Sequence, residues 1–308
     1  MELQYEGLFL ETAVFLCARQ RNPPVPAVQV HRFHWERERV YRVLDPEERE
    51  RRFYEVHLSW FREWGLEERW RRVLDEYPLI LQRLDRMVLC RPQRPSEAGA
   101  ELYMDPAAGA SAVLAVSPEM LVSGCGLEAF LRHEFLHLQD MLDPAFGYEP
   151  ALPIAGMPAG LEPVVRERYR LLWDVSIDGR LHAAGLPAPG SRERYAAALE
   201  RGFPCWSESQ RAEVLARLWS GAAVTHGQLA AWAADPRGLQ RHSGPAPGAP
   251  CPLCGFPSFE WAPAAKALAL ECAVRRDFPW WEPQLGLCGR CAELYEVRSK
   301  QGAPSLAA

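Results

Sequence analysis

A chain of 308 residues, 48% hydrophobic and 24% charged, has the composition of a globular protein with room for one sizeable core and a smaller module. Its formal charge of −5, from 35 basic and 40 acidic side chains, offers no general attraction to nucleic acid or to an anionic membrane surface. No segment approaches the roughly 18 consecutive apolar residues of a membrane span. The apolar start, Gly7 to Leu16, is broken by Glu11, and Glu2 and Glu6 precede it where a signal peptide carries basic residues, so a cytoplasmic protein is expected.

Residues 1–20 read as a short helix, the start of a helical N-terminal extension, followed by a break at Pro23-Pro24-Val25-Pro26. From Trp35 to about Arg86 the pattern is helical. The stretch Trp35 to Arg52 balances six arginines against six acids, which describes a solvated helix surface and not a basic patch. Three strand-like stretches come next, Met87–Cys90, Glu101–Met104 and Ser111–Val116, each bounded by Pro, Gly, Asp or Ser. After Gly124-Cys125-Gly126, the residues Leu127, Phe130, Leu131, Leu138, Met141 and Leu142 recur at helical spacing, and Asp143-Pro144 ends that helix. A Pro/Gly loop, Pro150 to Gly160, leads to a helix over about Glu162–Ala184. Ser207 with Gln210, and Thr225 with Gln228, form capping boxes that start two later helices.

The first of these long helices carries His133-Glu134-Phe135-Leu136-His137. Two histidines four residues apart share one helix face and can bind one zinc ion, and Glu134 beside them can take a proton from a zinc-bound water. Catalytic zinc has three protein ligands and an open position. Three carboxylates are candidates for the third. Asp174 and Asp178 lie four apart in an unusually apolar helix, Leu171 to Ile177, where a carboxylate needs a partner. One could bind the metal while the other accepts from a ligand histidine. Asp143 stands six residues after His137, the metzincin spacing, with Asp140 where that arrangement has a glycine and Met157 as a conceivable Met-turn. Tyr148, Tyr169, Arg180 and His182 are in reach as oxyanion donors.

The order of helices, strands, HExxH helix and a helix with paired carboxylates resembles a minimal gluzincin metallopeptidase core over about residues 45–185. The resemblance implies His133, His137 and Asp174 as ligands, Glu134 as the base and Asp178 as support for a ligand histidine. It also implies peptide or protein substrates, held by a cleft-side strand, for which Ala112–Val116 is the candidate. Asp174 stands where that family carries Glu, so the shorter side chain asks for a closer helix.

Nine cysteines include two C-x-x-C pairs, Cys251/Cys254 and Cys288/Cys291, a pattern that in a reducing compartment reads as a closed four-thiolate zinc site. Gly255 relieves the turn of the first pair, and Glu260–Glu282 is expected to supply a hairpin or small helix. The module from Cys251 to Lys300 has six basic and six acidic residues, too balanced for phosphate binding, and Phe278-Pro279-Trp280-Trp281 gives it an aromatic surface suited to a protein partner. The expected organisation is an α+β zincin-like domain over residues 1–240, a linker over 241–250 and a zinc ribbon over 251–300, with one catalytic and one structural Zn2+. The expected function is zinc-dependent peptide hydrolysis; the alternative is a non-catalytic zinc-binding adaptor that recruits a partner through the ribbon.

Overall fold

The computed structural model describes residues 1–20, 25–105, 109–152, 160–234, 245 and 248–301. Met157 and most of the expected linker lie outside them. The elements run β1 (Glu2–Tyr5), α1 (Gly7–Arg19), α2 (Ala27–Val40), α3 (Pro46–Glu63), α4 (Leu66–Leu74), α5 (Pro78–Arg83), β2 (Arg86–Cys90), β3 (Gly99–Asp105) and β4 (Gly109–Ala115). They continue with α6 (Pro118–Ser123), α7 (Leu127–Leu142), α8 (Glu162–Ala183), α9 (Arg192–Gly202), α10 (Glu208–Trp219), α11 (His226–Ala234), α12 (Ala264–Ala269), α13 (Glu271–Asp277) and α14 (Gly289–Gln301). Among the described residues no helix is long and apolar enough to cross a membrane. The chain divides into two compact units, Met1–Pro236 and Arg237–Ala308.

The first unit is α+β, with one mixed sheet in the order β1-β2-β4-β3. β1, β2 and β4 are parallel neighbours, and β3 folds back antiparallel on β4 from Gly99↔Ala115 to Asp105↔Gly109. Two expectations are corrected here. The N-terminus does not begin as a helix: Glu2–Tyr5 pairs with Arg86–Leu89 and helix starts only at Gly7. Four residues with buried Tyr5 at the end suffice for an edge strand when a partner awaits, a long-range condition that no local pattern carries. Secondly, β4 cannot hold a substrate by backbone hydrogen bonds, because β2 and β3 already occupy both of its sides. Among the described residues the strands with a free side are β1 and β3, and of the two it is β3 that lines the cleft.

Tyr5, Phe9, Leu10, Phe33, Trp60, Phe61, Trp70, Met87, Leu114, Leu131 and Phe135 form the core between the sheet and the surrounding helices. Helix α7 contributes a buried stripe, Leu127, Leu131, Phe135 and Leu138, at the spacing of one helix face. Its other face, with His133, Glu134 and His137, is left for the cleft. Buried Arg132 fixes the roll of the helix by a two-nitrogen grip on Glu76 at 2.8 and 2.8 Å. The helix ends as expected before Pro144, and Asp143 Oδ1 accepts from Ala145 N at 2.9 Å.

Helix α8 is buried on several sides because it packs against α7, α9, α10 and α11, which accounts for its apolar middle. Both capping boxes form, at Ser207/Gln210 and at Thr225/Gln228. At Gly179 the helix presses on α10: a Cβ there would meet the Leu218 carbonyl oxygen and lie 2.7 Å from Trp219 Cα. Gly179→Ala gains helix propensity of about 1 kcal/mol but forces backbone apart. The expected outcome is a net loss of roughly 1–3 kcal/mol, read from the urea midpoint. An unchanged or higher midpoint would contradict this packing.

The second unit has its own small core of Trp281, Val274, Leu287, Leu270 and Tyr295. The stretch between its cysteine pairs forms the two short helices α12 and α13, and among the described residues the β component reduces to the bridges Pro250↔Pro257 and Trp261↔Cys288. Trp281 is buried in that core while Trp280 is exposed, so the expected aromatic surface is partly turned inward.

Candidate metal centre and cleft

Helices α7 and α8 face each other antiparallel, so that His133 meets Asp178 and, one turn on, His137 meets Asp174. His137 Nε2 lies 3.2 Å from His133 Nε2 and 3.1 Å from Asp174 Oδ1, and His133 Nε2 lies 3.8 Å from the same oxygen. A tetrahedral ion with ligands at roughly 2.0–2.1 Å requires ligand–ligand separations of about 3.3 Å. The three atoms converge at that spacing, and the donor set of two imidazole nitrogens and a carboxylate oxygen suits a divalent cation.

Asp178 is fully buried, and each of its oxygens is used. Oδ1 accepts from His133 Nδ1 at 2.6 Å; Oδ2 accepts from Tyr195 Oη at 2.6 Å and from Gly190 N at 2.8 Å. Burial together with Asp178 holds the Tyr195 hydroxyl far above its ordinary pKa, so it stays a donor. With its Nδ1–H donating to Asp178, His133 turns Nε2 toward Asp174 and His137, where a metal ion would take the place of the Nε2 proton. Burial alone would lower the His133 imidazole, yet Asp174 and Asp178 lift it to about 10. Burial would likewise raise Asp174, and the two histidines bring it down to about 2. The carboxylates thus favour positive charge between them, which is what a metal ion would bring.

Glu134 Oε2 accepts from Ala100 N of β3 at 2.8 Å, and a Cβ on Gly99 would sit 3.2 Å from the same oxygen, so glycine keeps room for it. Burial pushes the Glu134 carboxyl above its usual range. Asp140 is not at a turn: it lies in α7, buried, and accepts from Arg180 at 2.8 and 2.6 Å and from Trp173 Nε1 at 2.8 Å. Trp173 in turn sets its ring edge-on to His137 at 4.4 Å. The metzincin-like arrangement is therefore absent among the described residues, since Asp143 caps a turn and does not join the metal-ligating group.

These groups line one cleft of about 580 Å³ with β3 residues Gly99 to Tyr103 on one wall and α8 residues Arg166, Tyr169, Arg170, Trp173 and Asp174 on the other. Of the expected oxyanion donors, Tyr148 and Tyr169 reach it. Arg180 is engaged by Asp140, and His182 packs its ring at a tilt against Trp219. His226 was not anticipated. It is buried on the cleft wall, its Nδ1 is 2.7 Å from Tyr169 Oη, and its Nε2 has no partner among the described residues. A single histidine opening a short helix gives no sequence signal, and neither does Tyr195.

In the second unit the four sulfurs of Cys251, Cys254, Cys288 and Cys291 lie within 4.8 Å of one another, with Cys251–Cys291 at 4.0 Å and Cys254–Cys288 at 3.8 Å. Thiolates at roughly 2.3 Å from a tetrahedral ion are about 3.8 Å apart. Burial would raise the Cys251 thiol, but backbone N–H groups of Cys254, Cys288 and Leu253 turned to its sulfur lower it to about 7. Gly255, at φ 71°, closes that turn, and Cys291 sits in the first turn of α14.

Comparison with family models, with curated proteins and with solved structures returns no match for this chain. The ligand geometry yields its own expectation. Metal analysis should find two ions per chain, one lost in Asp174→Ala and the other in Cys288→Ser. Asp178→Asn, which removes only the support of His133, should weaken the first site by ~10–100-fold. Retention of both ions in Asp174→Ala would contradict the assignment.

Proposed function

We propose that the first unit is a zincin-type peptide hydrolase and that the second is a zinc ribbon with a structural role. The observation that carries the reading is Glu134, a half-buried carboxylate of raised pKa set beside three converging candidate metal-ligand atoms on the wall of an open cleft. A purely structural metal site has no use for such a base. His133, His137 and Asp174 would hold the ion, and their nitrogen and oxygen atoms at tetrahedral spacing favour zinc. When bound, zinc supplies Lewis-acid polarisation of the scissile carbonyl and makes water acidic enough to attack near neutral pH.

The remaining work falls to the chain's own groups. Glu134 takes the proton of the attacking water and returns it to the leaving nitrogen, and its raised pKa matches that shuttle better than an exposed carboxylate would. The unpaired side of β3 offers backbone groups to an extended peptide. Tyr148 provides a hydroxyl in the cleft for the developing oxyanion, and the hydrogen-bonded pair Tyr169 and His226 forms the wall behind it. In the second unit the four cysteines take a closed site, which a core this small needs for stability.

Glu134→Gln keeps the shape and can still accept from Ala100 N, but its amide cannot take a proton. The variant should retain its zinc and its thermal midpoint while hydrolysis of a peptide library falls by ~10²–10⁴. Undiminished cleavage in the variant, or a zinc-loaded wild type inert across the library, would refute the reading.

A further inference from the structure

Along α8, Arg166, Arg170, Asp174 and Asp178 follow at four-residue intervals and so form one stripe of the helix. The two acids belong to the metal centre, and the two arginines line the same cleft. Arg166 is occupied: its Nε and Nη2 donate to Glu162 Oε1 at 2.9 and 2.7 Å. Arg170 is exposed and has neither an ion-pair nor a hydrogen-bond partner among the described residues. Glu149 shares the cleft without pairing to it, and residues 153–159 carry no acidic side chain that could claim it.

An unpaired guanidinium beside a reaction site presents a planar fork of donors that matches a carboxylate in charge and shape. The opposite wall has the reverse character: Glu97 and Glu101 stand on or next to β3. A carboxylate-bearing ligand is therefore repelled along β3 and attracted to α8, which gives it one favoured placement. Arg170 is one helical turn before Asp174, roughly 6 Å along the axis, on the N-terminal side toward which helix side chains tilt. An extended peptide advances about 3.4 Å per residue, so the two points are spanned by two or three residues.

We propose that Arg170 anchors a substrate carboxylate, so that this cleft selects peptides carrying a carboxylate two or three residues from the bond that is cut. The inference rests on the hydrolase reading for the cutting, but not for the binding. The carboxylate can come from a free C-terminus or from an Asp or Glu side chain.

The test uses the full zinc-loaded chain and an acetylated Ala/Leu peptide in three forms: free acid, C-terminal amide, and amide with Glu placed at successive positions. Two quantities are compared, kcat/KM and the dissociation constant by calorimetry, the second needing no turnover. Relative to the neutral amide, carboxylate peptides should show a kcat/KM about tenfold to hundredfold higher and a dissociation constant lower by a similar factor, the range of a charge-assisted hydrogen bond. That ratio should fall to about one in Arg170→Gln and shift toward a Lys-bearing peptide in Arg170→Glu, with zinc content unchanged. Preference for the free acid identifies the terminal carboxylate, and preference for a Glu amide identifies an acidic side chain. Equal values for all three peptides, a preference that survives Arg170→Gln, or no binding at all overturns the anchor. Arg170-dependent binding with no cleavage by the wild type would instead sink the hydrolase reading and leave the anchor standing.

Discussion

The antiparallel clasp between α7 and α8 is the constraint on which the site depends. Asp140 on α7 is gripped by both terminal nitrogens of Arg180 and by the indole N–H of Trp173, and two turns away Asp178 on α8 receives His133. These bonds fix both the register and the roll of the two helices. Asp140 is nearly inaccessible, so removing Arg180 would strand a charge, a change that typically costs about 3–5 kcal/mol. The shorter reach of an Asp ligand is met in the same way: the clasp brings Asp174 close enough to His137 for an oxygen–nitrogen separation of 3.1 Å.

Around that clasp the unit divides its tasks. Core residues of α7 hold the helix to the sheet and helices beneath, leaving the opposite face to chemistry. Edge strand β3 supplies one cleft wall and, through Ala100 N, the hydrogen bond that positions Glu134. Helix α8 supplies the other wall and both site aspartates. Helices α9 to α11 stand behind it, delivering Tyr195 to Asp178 and His226 to the cleft. Distant segments thus determine the polarity of a site whose candidate metal-ligating atoms come from two helices.

Much of this was legible in the sequence where periodicity is local and strong. The HExxH helix, the long following helix and both capping boxes follow from apolar spacing, proline and side-chain chemistry, and a carboxylate pair inside an apolar stretch asked for partners that the structure provides. What escaped depends on long-range pairing. Glu2–Tyr5 is a strand because Arg86–Leu89 lies beside it, and the cleft-side strand is β3 because the β3–β4 hairpin folds back toward the site. Neither follows from alternation within the segment. Tyr195, Gly190 and His226 act as single residues reached across tertiary contacts. Arg180 is near the site in sequence and so is a candidate oxyanion donor, but its guanidinium is committed to Asp140.

The central claim is that His133, His137 and Asp174 together bind a metal ion, with Asp178 outside the ligand set. Anomalous diffraction at the zinc edge from crystals of the full chain addresses it directly. The account predicts two peaks per chain, one among the four cysteine sulfurs and one roughly 2.0–2.2 Å from Nε2 of both histidines and from an Asp174 oxygen. A single peak at the cysteines, or a first-site peak bound by Asp143 in place of Asp174, would contradict it.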